Sequence, residues 1–250
     1  KGLFTKELEA ALINRDIDLA VHSMKDVPTS SQEGLSIEAV LKREDPRDAF
    51  ISNKVSKLID LPYKAIVGTA SIRRRAQLSA MRPDIKFTLL RGNVGTRINK
   101  LKNGDCDATF LAISGLNRLG KQKLITEAIE SNIMLSAPAQ GAIGIEIRKS
   151  DLEIKKIISS LNHYETEVSI AAERSFLRAL DGSCKTPIAA LANYKDKILN
   201  FRGEVISKDG TLAFSRKVKQ RILSVNDAIS LGYELGIELR EEIGDKILWD

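Results

Sequence analysis

The sequence predicts an α/β protein: two discontinuous lobes facing a cleft, followed by a small α+β third domain. Three observations carry this. Strand-like and helix-like stretches alternate between Ala65 and Ile113 at the spacing of βαβ units. Two proline-bearing stretches, residues 42–47 and 136–141, bracket that region as linkers, so the chain is expected to cross twice between lobes. Beyond residue 186, three strand-like runs and one terminal helix make a separate unit.

The elements follow in order. Leu3 to Asn14 reads as an amphipathic helix with Leu8, Ala11 and Leu12 on one face. Ile17 to Val21 reads as a buried strand running into a polar end that Pro28 stops. Leu35 to Leu41 is a second strand. A strand over Ala65 to Thr69 leads to a helix from Ser71, its N-cap, to Met81. A strand (Ile85 to Leu90), a helix (Val94 to Lys102) and a strand (Asp107 to Ile113) complete a mainly parallel sheet. Ala142 to Ile147 is apolar, and Asp151 to Leu180 is largely helical. Strands are expected over Pro187 to Asn193, Ile198 to Ile206 and Thr211 to Ile222, with a hairpin turn at Lys208-Asp209-Gly210, then a helix from Asn226 to Ile243. The domains read as residues 1–42 with 142–160, residues 47–136, and residues 164–250.

Composition narrows the function. The chain has 250 residues, 43% of them hydrophobic and 29% charged, which excludes disordered and collagen-like classes. Two cysteines, Cys106 and Cys184, exclude a disulfide framework and a cysteine-rich zinc site, and fit a reducing compartment. No metal cluster, membrane span or signal peptide is expected. The first residue is Lys1, so the natural N-terminus is expected to lie upstream.

The net charge of +6 is local. Ser71 to Gly104 holds six Arg and three Lys against one acid, Asp84. Such a field implies an anionic partner, and the excess of Arg favours planar carboxylates or phosphates. Both Arg-bearing turns follow strands, where parallel sheets bind ligands, and the helix starts there offer free N–H groups. Gly92 and Gly95 stand between Arg91 and Arg97 as an anion cradle. Lys25 and Asp26 sit at a strand end, and a continuing strand would point them to opposite faces. Cys184 lies in a small-residue turn beside Lys185, whose ammonium would lower a thiol pKa. Cys106 and His163 read as structural, and Arg75 as a solvated surface residue. Taken singly, each motif also fits an ordinary loop, surface pair or buried thiol.

Together they are specific. Lys1 to Phe4, His22 to Pro28, Val67 to Thr69 with Arg73 and Arg74, Leu90 to Arg97, Gly115 to Gly120, Ala137 to Gly141 and Leu180 to Pro187 fall in order along the chain. In these stretches the chain closely resembles the porphobilinogen deaminase, or hydroxymethylbilane synthase, family. The resemblance implies two lobes of the periplasmic-binding-protein kind, a first lobe N-terminally incomplete by one strand, and part of a lid loop at Lys1 and Phe4. It implies a cytoplasmic, monomeric transferase that joins four porphobilinogen molecules head to tail, releasing ammonia, to give hydroxymethylbilane. Its cofactor would be a dipyrromethane bound by a thioether to Cys184. The carboxylate binders would be Lys25, Arg73, Arg74, Arg91, Arg97 and Arg118, assisted by Ser71, Thr69 and the backbone near Gly92 to Gly95. Asp26 matches the catalytic carboxylate, which stabilises the cationic azafulvene and shuttles protons. Ala70 stands where the family often has Ser.

Two other classes make different predictions. A non-enzymatic anion-binding protein would need no Cys184 and form no adduct. A nucleic-acid binder would show steep salt dependence, yet Ser71 to Gly104 offers one aromatic, Phe87, for stacking.

Overall fold

The computed structural model describes residues 3–181 and 186–247, with Leu3 and Phe4 by backbone alone. The chain opens with α1 (Leu3–Ile13), β1 (Leu19–Ser23) and β2 (Leu35–Val40). After the first crossing come β3 (Asp48–Ser52), β4 (Ile66–Gly68), α2 (Ile72–Met81), β5 (Lys86–Thr88), α3 (Val94–Lys102), β6 (Ala108–Ala112), α4 (Ile113–Arg118) and β7 (Glu127–Ile129). The second crossing leads to β8 (Ile143–Arg148), α5 (Leu152–Ile158) and α6 (Tyr164–Ala179). Then follow β9 (Ile188–Lys195), β10 (Ile198–Ile206), β11 (Ala213–Arg221) and α7 (Val225–Ile243).

Three sheets result. In the first, β8 lies between β1 and β2, antiparallel to both. Its central strand thus comes from the far side of the second crossing, which makes this lobe discontinuous in sequence. The second sheet has the order β5-β4-β6-β3-β7. It is mainly parallel, as expected: β5, β4, β6 and β7 run in one direction, and β3 alone runs against them, between β6 and β7. The reason is the double crossing. Asp48, the first residue of β3, stands opposite Ile129, the last of β7, so the chain enters and leaves this lobe at one end. Sequence periodicity missed both strands. β3 is buried at four of its five positions and shows no alternation, and β7 is three residues long.

The second sheet is covered on both faces. Phe50, Phe110 and Val67 pack with Leu78 of α2 on one side, the two phenyl rings 5.7 Å apart. Ala49, Ile51 and Leu111 pack with Ile98, Leu101 and Leu116 of α3 and α4 on the other. Adjacent residues of β3 therefore serve opposite cores. The third sheet, β11-β10-β9, lays Leu199, Phe201 and Val205 against α6 and α7.

The third sheet also reaches the second lobe. In the turn between β10 and β11, Gly210 has φ +83°, and a Cβ there would lie 2.5 Å from the Ala80 nitrogen and 2.8 Å from the Ala76 oxygen of α2. Both obstacles are backbone. Gly210→Val is expected to lift the hairpin from α2 and cost roughly 1–3 kcal/mol in urea unfolding; an unchanged midpoint would refute that contact.

One carboxylate joins the three parts. Glu173 of α6 is fully buried and receives both terminal nitrogens of Arg43, at 2.5 and 3.0 Å. The same carboxylate accepts from the N–H of Ala139 (2.6 Å) and of Ala192 in β9 (2.7 Å). Arg43 belongs to the first crossing and Ala139 to the second, so both crossings are fastened to α6.

Candidate active site

β1 does not continue through Lys25 and Asp26. Met24–Asp26 form one 3-10 turn, so these side chains are not set on opposite faces of a strand. Met24 is the anchor: its side chain is buried, and its N–H donates to the Ala142 carbonyl at 3.0 Å. Gly144 of β8 leaves room for it, since a Cβ there would lie 2.2 Å from the Met24 sulfur. Lys25 is left half-buried and Asp26 exposed.

Across from this turn, α2 starts at the carboxyl end of β4. Ser71 caps it, accepting from the Arg74 N–H at 3.4 Å, while the Thr69 hydroxyl accepts from the Ser71 N–H at 3.1 Å. The first turn of α2 carries Arg73 and Arg74, both buried. Each donates to one oxygen of Asp48, at 2.7 and 2.6 Å, and Gln140 from the second crossing donates to the same carboxylate at 2.9 Å. Their other terminal nitrogens reach the carbonyls of Leu135 (2.5 Å) and Phe110 (2.9 Å). Burial would raise the Asp48 carboxyl, but the two guanidiniums outweigh it and hold it well below the usual carboxylate range. Asp48 is thus the fixed counter-charge that aims two arginines. The sequence reading missed it, because it follows a charged, proline-bearing stretch read only as linker.

Lys25, Asp26, Ser71, Arg73, Arg74 and Arg97 line one cleft of about 360 Å³, together with Gln140 and Thr186. Burial and the nearby Arg74 both lower the Lys25 ammonium pKa. Arg97 is lowered for the same two reasons, and its Nε donates to the Gly92 carbonyl at 2.8 Å. Four cations therefore repel one another around one space. In addition, the buried Nε of Arg74 has no hydrogen-bond partner among the described residues. A ligand carrying several carboxylates fits this set: it would relieve the repulsion.

Other residues singled out in the sequence lie elsewhere. Arg91 is exposed and is not among those lining this cleft. Arg118 donates to the Gly141 carbonyl at 2.9 Å, beside the second crossing. Gly92 and Gly95 flank Asn93, which caps α3 by accepting from the Thr96 N–H at 2.9 Å. Cys184 and Lys1 lie outside the described residues, and Phe4 is described only as part of α1. Thr186, two positions after Cys184 in sequence, is in the cleft wall. Cys106 is buried beside Gly68, and burial pushes its thiol up. His163 caps α6, its Nδ1 accepting from Thr166. Arg75 is exposed and lies over the Phe87 ring. Among the described residues no group of three metal-ligating side chains occurs, and no helix is long and apolar enough to cross a membrane.

Residues 1–156 match the family model for the porphobilinogen deaminase dipyrromethane cofactor binding domain, and residues 167–241 the model for the C-terminal domain of the same enzymes. The porphobilinogen deaminase of Nitrobacter hamburgensis is 49% identical over 246 residues, which is 98% of this chain and 77% of that protein. That of Paracoccus denitrificans is 46% identical, over 96% of this chain and 76% of its own length. A nutrient binding protein from Burkholderia cenocepacia, solved bound to methionine, is 17% identical over 63% of this chain and 76% of its own, with a TM-score of 0.42; nothing is inferred from so distant a likeness. On the two family models and the close relatives, the chain belongs to the porphobilinogen deaminase family.

Proposed function

We propose that this cleft is where four porphobilinogen molecules are condensed head to tail, with Asp26 as the catalytic carboxylate and Cys184 as the attachment point of the cofactor. The activity is that of the family: a transferase of tetrapyrrole biosynthesis that makes hydroxymethylbilane, with loss of one ammonia per unit joined, on a covalent dipyrromethane. The cofactor supplies the terminal pyrrole carbon to which the first unit is joined. The single observation that carries the site assignment is the gathering of Lys25, Arg73, Arg74 and Arg97 around one cleft, with the Asp26 carboxylate in its wall.

Each pyrrole bears an acetate and a propionate, so a growing chain brings in many carboxylates. Lys25, Arg73, Arg74 and Arg97 hold them by charge-assisted hydrogen bonds, and Ser71 adds its hydroxyl. Asp26 faces the positive charge that develops as the amine leaves, and accepts and returns the protons exchanged. Arg91 and Arg118 are placed in the same reading as carboxylate binders for longer chains, Thr69 as support for Ser71, and Lys1 and Phe4 as part of a lid. Residues 1–42 with 142–160 and residues 47–136 form the two lobes, and residues 164–250 carry the cofactor. Sparse cysteine usage supports a cytoplasmic setting, and the protein is taken to act as a monomer.

The test is the intact mass of the chain after exposure to porphobilinogen, then of its proteolytic fragment containing Cys184. A dipyrromethane-sized increment on that fragment, absent from Cys184→Ala, is the expected result. An increment on another residue, or one that survives Cys184→Ala, overturns the assignment.

A further inference from the structure

Glu173 and Arg174 are neighbours on α6, yet their partners differ. Glu173 fastens the two crossings. Arg174 pairs with no carboxylate among the described residues. Its guanidinium donates only to carbonyl oxygens: Nη1 to Met24 (3.2 Å) and Val27 (3.0 Å), Nη2 to Pro28 (2.6 Å). All three belong to the segment that carries Lys25 and Asp26.

An arginine committed in this way is costly. Removing a cation from water without a counter-charge opposes folding, and burial alone lowers the Arg174 guanidinium to about 10. Nothing in the core requires a guanidinium at this place. What it supplies is a planar fork of donors, which one ammonium cannot reproduce. Apolar packing holds the segment at Met24 and Val27, against Val40, Ala139, Ala142 and Ile170. Met24 is anchored by the Ala142 carbonyl and by burial. Beyond it, apart from the turn's own bonds, the backbone carbonyls of Val27 and Pro28 are held by Arg174 alone among the described residues. The grip comes from outside the active cleft. Arg174 and Met24 line a second cavity of about 330 Å³, whose wall includes neither Lys25 nor Asp26.

We propose that Arg174 is a positioning residue for the condensation: by holding the carbonyls of Met24, Val27 and Pro28 it fixes the turn that presents Asp26 to the cleft. It acts through backbone and touches no reacting atom. Misplacing a catalytic group by about 1 Å costs on the order of 100-fold in rate, so loss of this grip should appear in kcat rather than in KM. The inference rests on Asp26 being the catalytic carboxylate.

The experiment compares the full chain, loaded with cofactor, as Arg174→Gln, Arg174→Lys, Arg178→Gln and Asp26→Asn. Arg178 is on the same helix and lies over the Tyr233 ring, so Arg178→Gln is expected to keep wild-type turnover. Arg174→Gln should lower kcat roughly 10- to 100-fold with KM within about 3-fold. Amide exchange should quicken at residues 24–27 and stay unchanged in β10 and α7. Arg174→Lys should recover part of the rate, because an ammonium keeps one or two of the carbonyls. Unchanged kcat in either Arg174 variant overturns the proposal, as does exchange that quickens uniformly across the molecule. Normal turnover in Asp26→Asn would sink the reading of Asp26 itself; loss there with normal turnover in Arg174→Gln sinks the positioning role alone.

Discussion

Asp26→Asn is expected to cut turnover by roughly 100- to 10,000-fold while leaving the fold intact. The carboxamide keeps the size of the side chain and removes its charge and its basicity. The proposed mechanism uses both: the departing amine must be protonated, and the cation left behind would face a negative group in a cleft otherwise lined by Lys25, Arg73, Arg74 and Arg97. A loss of this size is about 3–5 kcal/mol of transition-state stabilisation. Stability should move by less than about 0.5 kcal/mol, since Asp26 is exposed and its side chain makes no hydrogen bond among the described residues. Cofactor assembly draws on the same chemistry, so rates are to be expressed per loaded molecule, with loading read from intact mass. Turnover within about threefold of wild type would remove Asp26 from the mechanism.

Asp48→Asn should do the reverse, damaging the fold first. Its carboxylate is fully buried between the guanidiniums of Arg73 and Arg74. Removing that one charge leaves two buried cations against each other, with an expected cost of roughly 3–5 kcal/mol. That is a large share of the total stability of about 5–15 kcal/mol usual for a folded protein. The same residue sets an acid limit. Its folded pKa is depressed, so its contribution is present above the unfolded value of about 3.9 and is lost as pH falls below that. In Asp48→Asn this part of the acid dependence should vanish. Urea unfolding at pH 7 and pH 3 measures both effects, with Arg75→Gln as an exposed control. A loss under 1 kcal/mol in Asp48→Asn would show that the arginines do not depend on this counter-charge.

The sequence displayed the groups that line the cleft better than the groups that hold them. α3 (Val94–Lys102) and β10 (Ile198–Ile206) stand where periodicity puts them. Cys106, His163 and Arg75 were legible as structural or surface residues; of the cations that the resemblance singled out, Lys25, Arg73, Arg74 and Arg97 meet in one cleft, whereas Arg91 and Arg118 are not in its wall. What remained hidden is long-range. Asp48 meets Arg73 and Arg74 about 25 residues on, and it begins a strand too short and too evenly buried to show a period. Glu173 and Arg174 look like ordinary polar positions of an amphipathic helix. The Arg43 partner of Glu173 is 130 residues away and the Met24 partner of Arg174 is 150 away, and most partners of the two are backbone, which carries no sequence signal. The 3-10 turn at Met24–Asp26 escaped for another reason: it depends on Gly144 making room for Met24.

The placement of β8 between β1 and β2 has a consequence for how the molecule is made. β8 pairs Gly144 with His22 and with Val40, so two early strands must wait for a partner roughly 100 residues downstream. At synthesis rates of about 5–20 residues per second, that is a delay of roughly 5–20 seconds. Closing so long a loop in an unfolded chain is slow and entropically opposed. The inserted lobe removes that difficulty. Its antiparallel β3 and β7 bring its two ends together, and the Glu44 N–H then meets the Gly141 carbonyl at 3.2 Å. Folding of the insert would thus deliver β8 to its place, and the first sheet would be completed after the inserted one although its first strands leave the ribosome first.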